Sequence, residues 1–323
     1  MKVFVTGGNG FIGSVVVRRL LQAGNQVRCL LRPASRTERI EDLPIERVTG
    51  DVRDLASLKA GMQTCDATIH LAGLSSWNEI DSPALREVVE GGTRNVLEAA
   101  SLIAGHRVVV VSSATAVNGS EEPKVFDEDS EFTLNDSELK YAHAKRNAED
   151  LCRTAFHKGV QVVVVNPAEV YGPADTALIT AGNLIDFARS NPVLVCKGGT
   201  SIVHVDDVAD GILAALNKGR AGERYILGGD NLTIRQLADL CLELVGRRKK
   251  VVTVPNKVIR GITKVATRLG LPLPYNSHVI PYATRYWFVD ASKARRELGV
   301  QFRNARETLM PTISWLKEAG HVQ

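Results

Sequence analysis

The run Thr6-Gly7-Gly8-Asn9-Gly10-Phe11-Ile12-Gly13 follows a short β-branched segment, Val3–Thr6, and opens a helical pattern, Ser14–Ala23. Few sequence features restrict a fold more. Gly7 permits a tight turn, Gly10 lets the backbone approach a ligand, and Gly13 allows the helix to pack closely on the strand. The opening turn at Phe11 and Ile12 then offers free N–H groups and a partial positive charge. A dinucleotide pyrophosphate on a βαβ unit is the ligand this arrangement fits.

The alternation continues through the first half. Strand-like runs at Gln26–Leu31, Arg47–Gly50, Ala67–Leu71, Arg107–Ser112 and Gln161–Asn166 are mostly continuous apolar segments, as strands buried on both faces require. Helical patterns at Leu85–Ala104 and Tyr141–His157 lie between them. The expected fold class is α/β, a doubly wound parallel sheet with its ligand crevice at the carboxyl ends of the strands. Past Asn166 the pattern breaks up around Pro167, Gly172, Pro173, Pro192 and the Pro272–Pro281 region, with helices at Asp206–Leu216 and Leu232–Val245. Asp206 or Asp207, and Thr233, stand where their N-terminal caps belong. The expected organisation is a dinucleotide-binding domain of residues 1–166 plus about 200–228, and a smaller, interleaved C-terminal substrate lobe of about 167–199 and 229–323. Glu121–Glu138, with eight acidic residues and one lysine, reads as a mobile loop above the sheet, either solvated or a substrate lid.

Composition excludes several classes. A net charge of +4 on 323 residues does not suggest a nucleic-acid partner, and the clusters Arg247–Lys250 and Lys293–Arg296 read as solvated faces. The five cysteines are scattered, with no C-x-x-C pair, which argues for a reducing compartment and against a disulfide framework or a zinc site. No apolar run approaches the ~20 residues of a membrane span, and the first residues read as strand rather than signal peptide. A cytoplasmic protein is expected.

The end of the second strand separates NAD from NADP. An acidic residue there would bind ribose hydroxyls; here Arg32, helped by Ser35 or Arg36, suits the 2′-phosphate of NADP, with NAD the alternative. Asp51 and Val52, after the third strand, suit an adenine edge. Tyr141-Ala-His-Ala-Lys145 sets two groups at i and i+4 on one helix face. An ammonium beside a phenol stabilises the phenolate, lowers the phenol's pKa and readies it for acid–base work. Ser113, at the end of the strand that precedes this helix, can polarise a substrate oxygen, with Ser112 and Thr115 as alternates.

Taken together these segments resemble the extended short-chain dehydrogenase/reductase superfamily, also called the NAD-dependent epimerase/dehydratase family. The resemblance covers nearly the whole chain: Thr6–Gly13, Gly50–Asp54, His70–Gly73, the serine strand end, Tyr141–Lys145, Asn166–Pro173, Val203–Gly211, Gly222–Gly229 and Asp290–Gly299. The strand end is similar to dihydroflavonol reductases and hydroxysteroid dehydrogenases, and Gly222–Thr233 to hopanoid-associated sugar epimerases. The resemblance implies a Rossmann fold in which His70, Leu71, Ala72 and Gly73 line the cofactor, Lys145 also holds the nicotinamide ribose, and Asn166 to Val170 face the nicotinamide. It implies a homodimer built by Leu85–Ala104 and Tyr141–His157 as a four-helix bundle. Ala114 and Thr115 replace the Asp-Glu pair of sugar-nucleotide dehydratases, and Thr200-Ser201 the Arg-Asp of nucleotide-sugar enzymes. Val89 stands where relatives often carry a relay asparagine. His204, Asp206 and Asp207 fit a packed histidine and helix caps better than a metal site.

The expectation is reversible hydride transfer between NADP(H) and a carbonyl/hydroxyl carbon of a small organic substrate, with Tyr141 exchanging the proton. Ser113 would touch the substrate, and Ser75 and Trp77 would either touch it or stand at its rim. A sugar epimerase that retains its cofactor would use the same residues. A non-catalytic NADP-binding sensor would not need Tyr141.

Overall fold

The computed structural model describes residues 1–74, 76–273 and 275–322. In chain order the strands are β1 (Lys2–Thr6), β2 (Gln26–Leu31), β3 (Glu46–Thr49), β4 (Ala67–His70), β5 (Arg107–Val111), β6 (Val125–Phe126), β7 (Gln161–Pro167), β8 (Glu169–Tyr171), β9 (Val193–Cys196), β10 (Gly199–His204), β11 (Arg224–Leu227), β12 (Asn231–Thr233), β13 (Val251–Val254) and β14 (Tyr286–Val289). The helices are α1 (Phe11–Gln22), α2 (Leu55–Met62), α3 (Pro83–Arg86), α4 (Gly92–Ser101), α5 (Lys140–His157), α6 (Ala181–Arg189), α7 (Val205–Lys218), α8 (Ile234–Val245), α9 (Asn256–Arg268), α10 (Ile280–Ala283) and α11 (Ala305–Glu318).

Seven strands form one parallel sheet in the order β11-β7-β5-β4-β1-β2-β3. The order reverses between β1 and β4, so a crevice opens there at the carboxyl ends, as doubly wound sheets require. The apolar runs are continuous because both faces are covered. Along β1, Val3 and Val5 join a core with Val16, Val17 and Leu20 of α1 and Val208 and Ile212 of α7. Phe4, between them, points the other way, to Leu58 and Met62 of α2, Val96 of α4 and Cys152 of α5. The chain is α/β, with a doubly wound parallel sheet.

A second sheet, in the order β12-β10-β14-β6 with β8 also on β10, joins segments far apart in sequence. A third core, including Leu184 and Phe187 of α6, Leu237 and Leu242 of α8 and Leu309 and Ile313 of α11, lies around β9 and β13.

Three local expectations change. The acidic segment is pinned rather than free: Val125 and Phe126 pair with β14. The Glu128 carboxylate accepts from the Ile226 N–H at 2.8 Å, and Arg224 donates to the carbonyls of Glu128 and Ser130 at 2.8 and 3.1 Å. The helix expected from Leu85 begins at Pro83 and carries a π turn at Glu87–Gly91. Helix α7 is capped by His204, whose Nδ1 accepts from the Asp206 N–H at 3.2 Å, while Asp206 and Asp207 lie in the first turn. Thr233 does cap α8, in a capping box with Gln236. Of the basic cluster, Arg247 and Lys249 donate to the Ala188 carbonyl at 2.8 and 2.6 Å, near the carboxyl end of α6.

Candidate active site

Gly7 adopts φ +72°, and a Cβ there would lie 2.7 Å from the Ala72 nitrogen. A Cβ at Gly13 would lie 2.1 Å from the Gly7 oxygen, so only glycine lets α1 seat this close to the turn. At Gly10 a Cβ would meet only the Gly7 oxygen, at 3.3 Å, which leaves the outer side of the turn open to a ligand. No side chain caps α1, and its first turn carries no acidic residue. The first N–H groups, at Phe11 and Ile12, are left to an anion. The turn fits a pyrophosphate.

Below the turn, Thr6 Oγ1 meets His70 Nδ1 at 2.7 Å, and His70 Nε2 meets Thr93 Oγ1 at 3.2 Å. Burial, with the nearby Lys145 charge, pushes the His70 imidazole down to about 3, so it is neutral structure rather than a proton carrier. It fastens Leu71-Ala72-Gly73: the Leu71 N–H donates to the Thr6 carbonyl at 3.0 Å and the Ala72 N–H to Thr6 Oγ1 at 3.3 Å. A Cβ on Gly73 would stand 3.6 Å from Lys145 Nζ, an ordinary contact, so the lysine's charge lies directly beside this backbone.

Helix α5 carries Tyr141, Lys145 and Glu149 at i, i+4 and i+8 on one face. Lys145 Nζ donates to the Val111 carbonyl at 3.0 Å and stands 5.9 Å from the Tyr141 ring centre. Burial pushes the lysine down to about 8, against the pull of Glu149. The half-buried Tyr141 moves the other way: burial pushes its phenol up to about 12, opposed by a hydrogen bond with Ser113. The expected acidification by the ammonium does not set this phenol; burial does, and the Ser113 hydrogen bond is what opposes it. Ser113 Oγ accepts from the Thr115 N–H at 3.2 Å and the Thr115 hydroxyl at 3.0 Å, so its own proton remains for donation. Thr115 thus supports Ser113, and Ser112 turns inward to Glu149.

Asn166 is fully buried and donates to the Ser113 carbonyl at 2.9 Å and to Glu149 at 2.6 Å. Its Oδ1 has no partner among the described residues. Val170 is buried in the sheet core. Arg32 is exposed and makes no ion pair among the described residues. The Ser35 hydroxyl accepts from the Arg32 backbone N–H at 3.1 Å, and the exposed Arg36 gives its carbonyl to Asn9 at 2.9 Å. Asp51 is clasped by Arg53, with contacts of 3.0 and 2.8 Å, and Arg53 holds its carboxyl below the usual range. Val52 packs on Gly92, and its carbonyl accepts from Asn95 at 3.0 Å. Ser75 lies outside the described residues. Trp77 stands edge-on to Tyr282 at 5.2 Å, and the Tyr282 hydroxyl accepts from the Tyr141 N–H at 3.1 Å.

Two groups escaped the sequence reading. Glu149 gathers Ser112, Asn166 and Arg224, the last at 3.3 Å. Its place in line with Tyr141 and Lys145 was the available signal. Tyr282 joins Trp77 and Trp287 in an aromatic wall that no local spacing announces.

The family model of the NAD dependent epimerase/dehydratase family matches residues 3–228. The chain belongs to that family. It is an enzyme of the NAD(P)-dependent dehydrogenase, reductase or epimerase kind. A putative dihydroflavonol 4-reductase from Synechocystis sp. is 32% identical, with 99% of this chain and 96% of the relative covered. The 4-hydroxy-2-methyl-3-oxo-4-farnesyl-3,4-dihydroquinoline-1-oxide ketoreductase of Stigmatella aurantiaca is 31% identical over 99% of this chain and 97% of its own. Among solved structures, the dTDP-glucose 4,6-dehydratase DesIV of Streptomyces venezuelae, with NAD bound, aligns at TM-score 0.79 and 26% identity, covering 100% of this chain and 99% of that one.

Proposed function

We propose that this enzyme is an NADPH-dependent carbonyl reductase acting on a lipophilic ketone or aldehyde, reversibly. The observation that carries the reading is the Tyr141 phenol, raised to about 12 and hydrogen-bonded to Ser113 on the face that also bears Lys145. A phenol that weakly acidic keeps its proton at neutral pH, as a donor to a carbonyl under reduction must. Bound nicotinamide supplies or accepts the hydride. Ser113 polarises the substrate oxygen, and Tyr141 gives that oxygen its proton. Lys145, still largely charged at neutrality, favours the phenolate left behind. Gly7, Gly10, Phe11, Ile12 and Gly13 would hold the pyrophosphate, Leu71 to Gly73 the ribose side, and the free Arg32 guanidinium the 2′-phosphate of NADP. Val52 would wall the adenine, while Asp51 would reach it only by leaving Arg53. The aromatic wall of Trp77, Tyr282 and Trp287 suits an apolar substrate, in keeping with the two reductase relatives, one named for a farnesyl-bearing ketone. Pairing of two copies through 85–104 and 141–157 belongs to the same proposal and rests on the resemblance.

The test is a panel of ketones, aldehydes and sugars, with NADPH and NADH consumption followed separately for the native enzyme and Tyr141→Phe. The reading expects ketone-dependent loss of NADPH, about 10²–10⁴-fold slower in the variant at unchanged cofactor affinity. Sugar interconversion without net NADPH loss would instead make it an epimerase.

A further inference from the structure

From residue 244 to 289 the chain holds nine Lys or Arg and no Asp or Glu, although the whole protein carries a net charge of only +4. Helix α9 lies in the middle of this stretch. Its inner row, the half-buried Ile259 with the buried Thr263 and Ala266, faces the body of the protein. Thr263 Oγ1 meets the Tyr275 hydroxyl at 2.9 Å, and Arg260 Nε donates to Thr284 at 2.9 Å. On the outside, Val258, Ile262, Val265 and Leu269 recur at i, i+4, i+7 and i+11, forming one apolar stripe of 48%, 55%, 58% and 66% exposure. Leu271, 55% exposed, extends it. Lys257, Lys264 and Arg268 are exposed in the adjoining row and make no ion pair among the described residues.

An exposed apolar row of this length needs a cover. Glu121 pairs with Arg260 and Asp136 with Arg285, but Lys257, Lys264 and Arg268 beside the stripe have no such counter-charge among the described residues. A second copy docking symmetrically on the stripe would therefore bring these cations against their own likeness, which like charges oppose. An anionic lipid surface satisfies both rows at once: the apolar stripe enters the acyl boundary and the basic row meets the headgroups. No helix among the described residues is long and apolar enough to cross a membrane, so α9 would lie along the surface.

We propose that α9 with Leu271 is an interfacial docking face for a membrane leaflet that contains anionic lipid. The face is tied to the site. Asn276, beside Tyr275, donates to Asn78 at 2.8 Å; Asn78 follows Trp77, which packs on Tyr282, and Tyr282 receives the Tyr141 N–H. Docking would thus bring the segment that carries Trp77 and Tyr282 close to the lipid, the side from which a lipophilic carbonyl compound dissolved in the leaflet would approach. That delivery role rests on the reductase reading; the docking itself does not.

The experiment is co-sedimentation of the full chain with vesicles of phosphatidylcholine, alone or with about one-third phosphatidylserine, at low and high salt. The expected result is binding to the anionic vesicles at least about tenfold tighter than to the neutral ones, weakened by salt. Ile262→Ser with Leu269→Ser should abolish binding to both. Lys257→Gln with Lys264→Gln should remove only the anionic preference. Both variants should melt like the native protein and reduce a water-soluble ketone at its rate, which separates failure of docking from failure of the reductase reading. No binding to either vesicle, binding indifferent to the serine variant, or a lipid-free dimer that the serine variant splits would each overturn the proposal.

Discussion

Replacing Glu149 by Gln keeps the side chain's shape and removes its charge, which isolates what that charge does for Lys145. The two residues are four apart on α5, roughly 6 Å between neighbouring positions on one helix face. At an effective dielectric of about 20, a unit charge at that distance is worth about 3 kcal/mol, or about two pKa units. Glu149 is the largest influence holding the lysine up against desolvation, which has already brought it to about 8. Without it, Lys145 should lose its proton about one to two units lower. The rate of NADPH-dependent reduction should be flat around neutrality and fall above about 8 in the native enzyme, and should begin to fall near pH 6–7 in Glu149→Gln. Stability should drop as well, by about 3 kcal/mol, because Arg224, its side chain only 17% exposed, loses its counter-charge. The assay is kcat/KM against pH from 5 to 10, with urea unfolding in parallel. A profile in the variant that superimposes on the native one would refute the coupling, whatever the stability change.

Gly13→Ala would set a Cβ 2.1 Å from the Gly7 oxygen and should cost about 1–3 kcal/mol in urea unfolding while weakening NADPH binding, read by nucleotide fluorescence. Arg32→Ala should raise the KM for NADPH by about ten- to a hundredfold and leave that for NADH unchanged, in steady-state kinetics with both cofactors. His70 stays neutral in the folded protein down to about 3, whereas the unfolded chain takes up the proton near 6.5. Native stability should therefore fall as pH drops through that window, and His70→Gln should flatten the fall in urea titrations at several pH values.

Much of the large sheet is legible in sequence because parallel strands covered on both sides leave uninterrupted apolar runs; Val108 to Val111 is one, and every one of its residues is buried. The second sheet is not. Val125 pairs with Phe288, and Ile202 with Glu169, across distances at which short segments carry no mutual signal. Tyr141, Lys145 and Ser113 could be singled out because local spacing fixes their helix face and strand end. Their environment could not: the phenol's desolvation, which reverses the expected shift, comes from chain packed around it in three dimensions. The Arg53 clasp on Asp51, only two residues away, was within reach of sequence reasoning. The Tyr282 hydroxyl beneath the Tyr141 amide, 141 residues distant, was not.

The most direct test of the account follows the hydride itself. NADPH carrying deuterium at the nicotinamide C4 position is incubated with the enzyme and a reactive ketone from the panel, and product and cofactor are examined by mass spectrometry. The account predicts one deuterium on the former carbonyl carbon for each NADP⁺ formed, with Tyr141→Phe slowing both together. A rearranged product without deuterium, at constant NADPH, would contradict it.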